Sequence, residues 1–429
     1  MMLFVTRVIF ADKACTPIIR SYVPIYHYAL LFKNLFSKLT LAKAVLFLHG
    51  LPKKGDNMKC LELTRKFYVD CVLNLMKKYF PSLAENHSAA LLGWGSEVLE
   101  NDDDISKFYG WGPKPKIFLS NKDYIQSGDK LWEMFLDKIP IRYQGHLTRF
   151  KVDPMDDLPK PTDEKDGFPM ITISTFERLH TFYIGDISIP YSDFEWLLIP
   201  EQKLLEITSG EVFYDGLGIL NDFRKNISYY PENVWKYKLA YQWTTLNWKL
   251  DLISLCNKRE DVLSSRLSIN ETVQRIIGLI FLLNKAYKPG YIKWIHRQLY
   301  KLTNLAKQIG PELDKILTTN DCEIAQTNLI KVIETLIEYQ INKDIISRVD
   351  YKQFSHFSRG FSPINLDIVI KEIKKGISGE LAELPFPLGT VDQWVTDEDL
   401  LLSPNTIKNL RSVYFSKEPE RKQLGDKGL

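Results

Sequence analysis

Gly93-Trp94-Gly95-Ser96-Glu97-Val98-Leu99-Glu100-Asn101-Asp102-Asp103-Asp104-Ile105-Ser106, closed by Trp111-Gly112-Pro113-Lys114, is the stretch on which the reading of this chain turns. Ala89-Ala90-Leu91-Leu92 just before it reads as a short buried strand, so the glycines open a small-residue turn directly off a strand end. Backbone N–H groups in such a turn can converge on an anion, which makes Gly93, Gly95 and Ser96 phosphate-binding candidates. A tight bend alone asks for the same glycines. Glu97 disfavours a phosphate unless a cation stands between them; Lys107 and Lys114 are the available bridges, and both otherwise read as surface lysines.

Outward from the turn the periodicities are regular. Leu63, Phe67, Cys71, Leu75 and Tyr79 recur at helical spacing and predict an amphipathic helix ending before Pro81. Lys116–Leu119 and Met170–Ser174 read as strands, a helix lies around Lys130–Leu136, and Asp153–Gly167 reads as a surface loop. Beyond Tyr191 the pattern is helical, over 196–209, 234–250, 271–287, 293–307 and 323–341. The stripe Trp235, Leu239, Gln242/Trp243, Leu246 and Leu250 is a packing face. The proline-rich block Leu384–Trp394 reads as an extended segment packed back on the body, with a helix starting near Pro404. The expected fold class is α+β: a small mixed-sheet domain over 58–190, a helical domain over 191–350, an extended segment and terminal helix over 351–415, and a tail over 416–429.

With 429 residues, 45% apolar and 25% charged, the chain has ample material for more than one core. Residues 1–57 carry a net charge of +6 and the remainder −3, so the main body lacks the basic footprint of a nucleic-acid binder. Cys15, Cys60, Cys71, Cys256 and Cys322 form no zinc-spaced set and point to a reducing compartment. The expected location is cytoplasmic. Residues 1–57, apolar and acid-poor, read as a targeting segment, with a mitochondrial destination as the alternative, or as a non-native start; no run reaches the ~18 residues of a spanning helix. His180, His296 and His356 stand alone and read as structural. Glu201, Glu206, Glu211 and Asp215 read either as lining a cleft between domains or as helix-surface and capping groups, and Lys203 and Tyr241 are open.

The signature from Gly93 to Lys114 resembles that of a largely bacterial family, domain of unknown function 4037, whose members look like nucleotidyltransferases. The resemblance continues through Arg142–Gly145, Pro200–Glu206, Gly210–Gly216, Tyr229–Trp235, Gln242-Trp243 and Gly389–Trp394. It implies a nucleotidyltransferase-like fold in which the Gly95-Ser96 turn holds a triphosphate and two strand carboxylates hold a pair of divalent cations roughly 3.5 to 4 Å apart.

In that family the segment before Trp-Gly-Pro reads Ser-Arg-Asp-His-Asp, whereas here it is Ser106-Lys107-Phe108-Tyr109-Gly110. The two aspartates fall on Phe108 and Gly110, which offer no side-chain oxygen to a hard cation. The resemblance therefore implies a pseudoenzyme without two-metal transfer, acting by nucleotide or partner binding. Two alternatives stay open: an active nucleotidyltransferase using Asp102, Asp103 or Asp104 as metal ligands, and an interaction module that binds no nucleotide. No cofactor is fixed by the sequence; a nucleoside triphosphate with Mg²⁺ is the one the resemblance brings.

Overall fold

A computed structural model of the chain describes residues 58–352, 364–384 and 388–415, apart from positions 109, 156 and 188. The basic extension 1–57, the tail 416–429, His356 and the centre of the proline-rich block lie outside the described residues. The first helical run follows the apolar spacing: Cys60–Phe67 and Asn74–Tyr79 are α-helical, joined by a π-helical turn over Tyr68–Leu73, and Pro81 starts a separate short helix to Glu85.

Among the described residues nine strands follow in chain order: β1 (Ser88–Leu91), β2 (Lys116–Leu119), β3 (Arg142–Tyr143), β4 (His146–Leu147), β5 (Arg149–Val152), β6 (Pro159–Thr162), β7 (Phe168–Pro169), β8 (Thr172–Thr175) and β9 (Glu211–Asp215). The main sheet has the order β8-β2-β1-β9 and is mixed, with β2 parallel to β8 and β1 antiparallel to both neighbours. β1 is buried along its whole length, as a central strand of small and apolar residues should be. Because β9 comes from beyond residue 190, the sheet draws an edge from the region expected to be helical. The loop expected over 153–167 instead contains β6, whose two prolines are accommodated beside β5 at the margin of a three-stranded sheet.

Alternation along the strands sorts the sheet into two faces. Ala89, Ile117 and Leu119 face the core formed with Phe67, Tyr68, Val72, Met76, Leu131 and Phe135, the last two from the helix Asn121–Lys138. That helix starts at Ser120, whose hydroxyl accepts from the Asp123 amide. Ala90 and Phe118 face the opposite way, into a core that runs on without a break through the helices Glu232–Lys258, Val262–Leu283 and Cys322–Asn342. The expected stripe is buried there, Trp243 and Leu246 completely. Each fully buried side chain of that size contributes about 1.5–3 kcal/mol, which is what keeps a 27-residue helix of low intrinsic amphipathicity in place.

Two expected helices are divided. Pro200 ends the first, giving Asp193–Leu197 and Glu201–Thr208, because a proline blocks the helical conformation of the residue before it. The segment 293–307 is a helix over Ile292–Leu299, and a new one runs from Ala306 to Thr318. The block ending at Trp394 closes on a helical turn, Val391–Trp394, capped by Thr390, and the helix expected near Pro404 runs Pro404–Asn409. Among the described residues no helix is long and apolar enough to cross a membrane.

Candidate functional site

The turn leaves β1 with Gly93 at φ +101° and Gly95 at φ +136°, backbone regions open to glycine and strained for any L side chain. Its outer shape is pinned by backbone bonds: the Gly93 amide donates to the Glu206 carbonyl at 2.8 Å, Asn101 to Ser96 at 2.8 Å, and Gly210 to Val98 at 3.0 Å. The space a side chain at Gly95 would need is filled by the Glu97 carboxylate.

Glu97 is 2% exposed and forms an ion pair with Lys114, itself 7% exposed, so Lys114 is an interior cation and not the surface lysine its sequence context suggests. The same ammonium donates to the Gly110 carbonyl at 3.3 Å and sits 4.9 Å from the centre of the Trp94 ring. Burial works against this charge, but the Glu97 carboxylate outweighs it and holds the ammonium above its ordinary pKa. The Cys60 thiol donates to Gly112 at 3.1 Å; burial, then Glu97, pushes its pKa up to about 12, leaving an inert thiol.

The three aspartates sit in an irregular loop, so Asp102 and Asp104 do not share a strand face. Nor is Asp102 part of a solvated turn. It is buried, and its Oδ2 accepts from the Cys60 amide at 2.9 Å and the Trp111 indole N–H at 3.2 Å, capping the first helix from a distance in sequence, while Lys59 lies 3.3 Å from Oδ1. Asp103 accepts from the Ser106 amide and hydroxyl at 3.0 Å and pairs with Arg297 at 2.7 Å; burial opposes its charge, but these partners hold its carboxyl below the ordinary range. Asp104 is exposed and pairs with Lys107 at 2.9 Å. From the helical region, Arg297, Gln298 and Lys301 bind carbonyls of Leu99 and Asn101, fastening this loop to the helix Ile292–Leu299.

Phe108 closes a 3₁₀ turn and Gly110 follows at φ +63°, buried against Pro159 and Met170. Phe108 and Gly110 supply no oxygen side chain, Asp102 is committed to the Cys60 amide, the Trp111 indole and the Lys59 ammonium, and another ammonium already lies on the Gly110 carbonyl. This donor set does not fit a divalent-cation pair, and among the described residues no group of three or more His, Cys, Asp or Glu is placed to hold a metal.

On the other side of Gly93 stands a second group, of which only Lys203 and Glu206 are singled out by sequence reading. A methyl added at Gly93 would overlap the Tyr183 hydroxyl and lie 3.0 Å from Lys116 Nζ. Lys116 and Lys203 both approach the Tyr183 ring, at 5.9 Å and 5.2 Å from its centre. The legible signal was Lys116 itself, a lysine two residues from Phe118 and hence on the inward face of an otherwise apolar strand.

The remaining acids are structural. Glu201 pairs at 3.0 Å with the buried Lys238, which also binds Asp392 at 2.8 Å and Thr390 at 2.8 Å, so blocks far apart in sequence meet in one interior network. Glu211 pairs with Arg65, and Asp215 accepts from Ser88 and from the amides opening the helix Ile219–Asn226. His180 bonds Tyr191 at 2.7 Å, and His296 packs at a tilt against Tyr300.

No curated protein is significantly similar to the chain. A solved structure, the nucleotidyltransferase-like protein from Exiguobacterium sibiricum 255-15, is similar over 71% of this chain and 89% of that one, at 9% identity and a TM-score of 0.30, too loosely to fix equivalences between strands. The family match falls in the helical region and takes in Pro200–Glu206, Gly210–Gly216 and Tyr229–Trp235: residues 196–295 match the domain of unknown function (DUF4037).

Proposed function

We propose that this protein is a nucleotidyltransferase-like pseudoenzyme that binds a nucleotide by its phosphates at the Gly93–Ser96 turn and does not carry out two-metal nucleotidyl transfer. The observation that carries the reading is the Lys114 ammonium, on the Gly110 carbonyl and paired with buried Glu97. By the resemblance, Gly110 is the position of the second metal-binding aspartate. A permanent internal cation there supplies the counter-charge that Glu97 needs and leaves a divalent ion neither seat nor electrostatic reason to enter. What is retained is the glycine turn, whose Ser96 hydroxyl makes no hydrogen bond among the described residues.

Calorimetric titration with ATP, with and without Mg²⁺, tests it. Binding that does not depend on the metal, without pyrophosphate release, is the expected result; metal-dependent turnover would overturn it.

A further inference from the structure

We infer that Lys116, Lys203 and Tyr183 form a phosphate-binding site on the inner side of the Gly93 turn, receiving the terminal phosphate of the nucleotide. This deepens, and rests on, the reading that the turn takes a phosphorylated ligand. Three observations point to an anion. Neither the Lys116 nor the Lys203 ammonium makes an ion pair or hydrogen bond among the described residues, although both flank one ring. Tyr183 is 2% exposed and its hydroxyl has no hydrogen-bond partner; the Trp94 amide faces it without closing a bond of normal geometry. Burial keeps the phenol protonated and therefore a donor.

The charges around this spot do not cancel. Glu97 and Lys114 neutralise each other, leaving Lys116 and Lys203 against Glu206 alone, whose carboxyl burial pushes up while Lys203 pulls it down. Burial, with Lys114 and Lys203 adding like charge, brings the Lys116 pKa down to about 8, with Glu206 and Glu97 opposing. Two ammonium groups without a protein hydrogen bond and an orphaned phenol, all beside the backbone of a glycine turn, are the donor set that phosphate oxygens satisfy.

Tripolyphosphate, inorganic phosphate and ATP, each titrated calorimetrically without metal, test the site against Lys116→Met and Tyr183→Phe variants. Tripolyphosphate binds the wild-type chain, and each substitution weakens it about tenfold or more, the loss expected for a charge-assisted bond. Tyr183→Phe leaves the melting temperature of the free protein unchanged or higher, since it removes a buried hydroxyl with nothing to bond, so a misfolded variant cannot imitate the result. Near pH 8 binding takes up a proton, seen as a buffer-dependent enthalpy, and Lys116→Met abolishes that uptake.

Binding of tripolyphosphate at wild-type strength by both variants, or by no form at all, overturns the site. ATP binding that both variants leave intact removes the site while sparing the nucleotide reading. Tripolyphosphate binding that the variants weaken, with no binding of ATP, keeps the site and removes the nucleotide.

Discussion

Replacing Lys114 by Met removes the counter-charge of Glu97 while nearly preserving volume. With its partner gone, Glu97 stays 2% exposed and is relieved most cheaply by taking up a proton. For an ordinary carboxyl that costs roughly 3.7 kcal/mol at pH 7 and about 1 kcal/mol at pH 5. The lost contact with the Trp94 ring adds about 1 kcal/mol at either pH. Lys114→Met should therefore destabilise the protein by about 4–5 kcal/mol at pH 7, in the range seen when one partner of a buried pair is removed, and by about 2 kcal/mol at pH 5. Glu97→Gln in the same background restores most of the loss at pH 7, because two neutral groups replace an unmatched charge. Urea unfolding of the wild type, both single variants and the double variant, at the two pH values, gives the coupling. Additive effects of the two substitutions, or a Lys114→Met loss equal at pH 5 and pH 7, would refute the claim that this ammonium is an internal counter-ion.

Lys116 gives a pH effect of the opposite kind: its folded pKa of about 8 lies below the ordinary lysine value, so the unfolded chain holds more protons between the two, and stability rises with pH from about 8 to about 10.5. Unfolding at pH 7.5 and 9.5 checks this, and Lys116→Met should flatten the rise. Asp102→Ala should cost about 1–3 kcal/mol, because it strands the Cys60 amide and the Trp111 indole in the interior, without changing Mg²⁺ affinity measured by calorimetry. Lys238→Met leaves Glu201 and Asp392 together without their cation and should cost about 3–5 kcal/mol by urea midpoint. Phe108→Asp with Gly110→Asp should gain Mg²⁺ affinity only when combined with Lys114→Met, since otherwise the ammonium pairs with the new carboxylate; a gain without that third change would contradict the assignment of Lys114.

Local pattern carried most of the secondary structure. The buried strand at Ala89, the inward strand at Ile117 and the stripe from Trp235 to Leu250 all follow from spacing that the structure repeats. Pairings across distance were not legible. Nothing in the neighbourhood of Asp102 reveals that it caps a helix 42 residues earlier, so a run of acids beside Asn101 read as solvated. Lys114 looked like a surface residue for the same reason: its partner Glu97 lies across the fold of the turn, and only the closed loop buries both. Strand β9 escaped because Glu211–Asp215 lies among helices, and it enters the sheet through pairing with β1.

These hidden pairings bear on what the family words mean in this chain. Pro200–Glu206, Tyr229–Trp235, Gln242 and Gly389–Trp394 are distant in sequence, yet Glu201, Tyr230, Gln242, Thr390, Asp392 and Gln393 converge on or beside the Lys238 ammonium and its backbone. Burial opposes the Lys238 charge, but Asp392 and Glu201 outweigh it and hold the ammonium above its ordinary pKa. Such a network holds the C-terminal segment against the helical core and needs no substrate to explain it. The turn is different: Glu97 and Lys114 neutralise each other there, whereas Lys116 and Lys203 beside it form no ion pair among the described residues and the buried Tyr183 hydroxyl has no hydrogen-bond partner. That imbalance of charge, more than the glycines, is what supports the proposed phosphate site at the Gly93 turn.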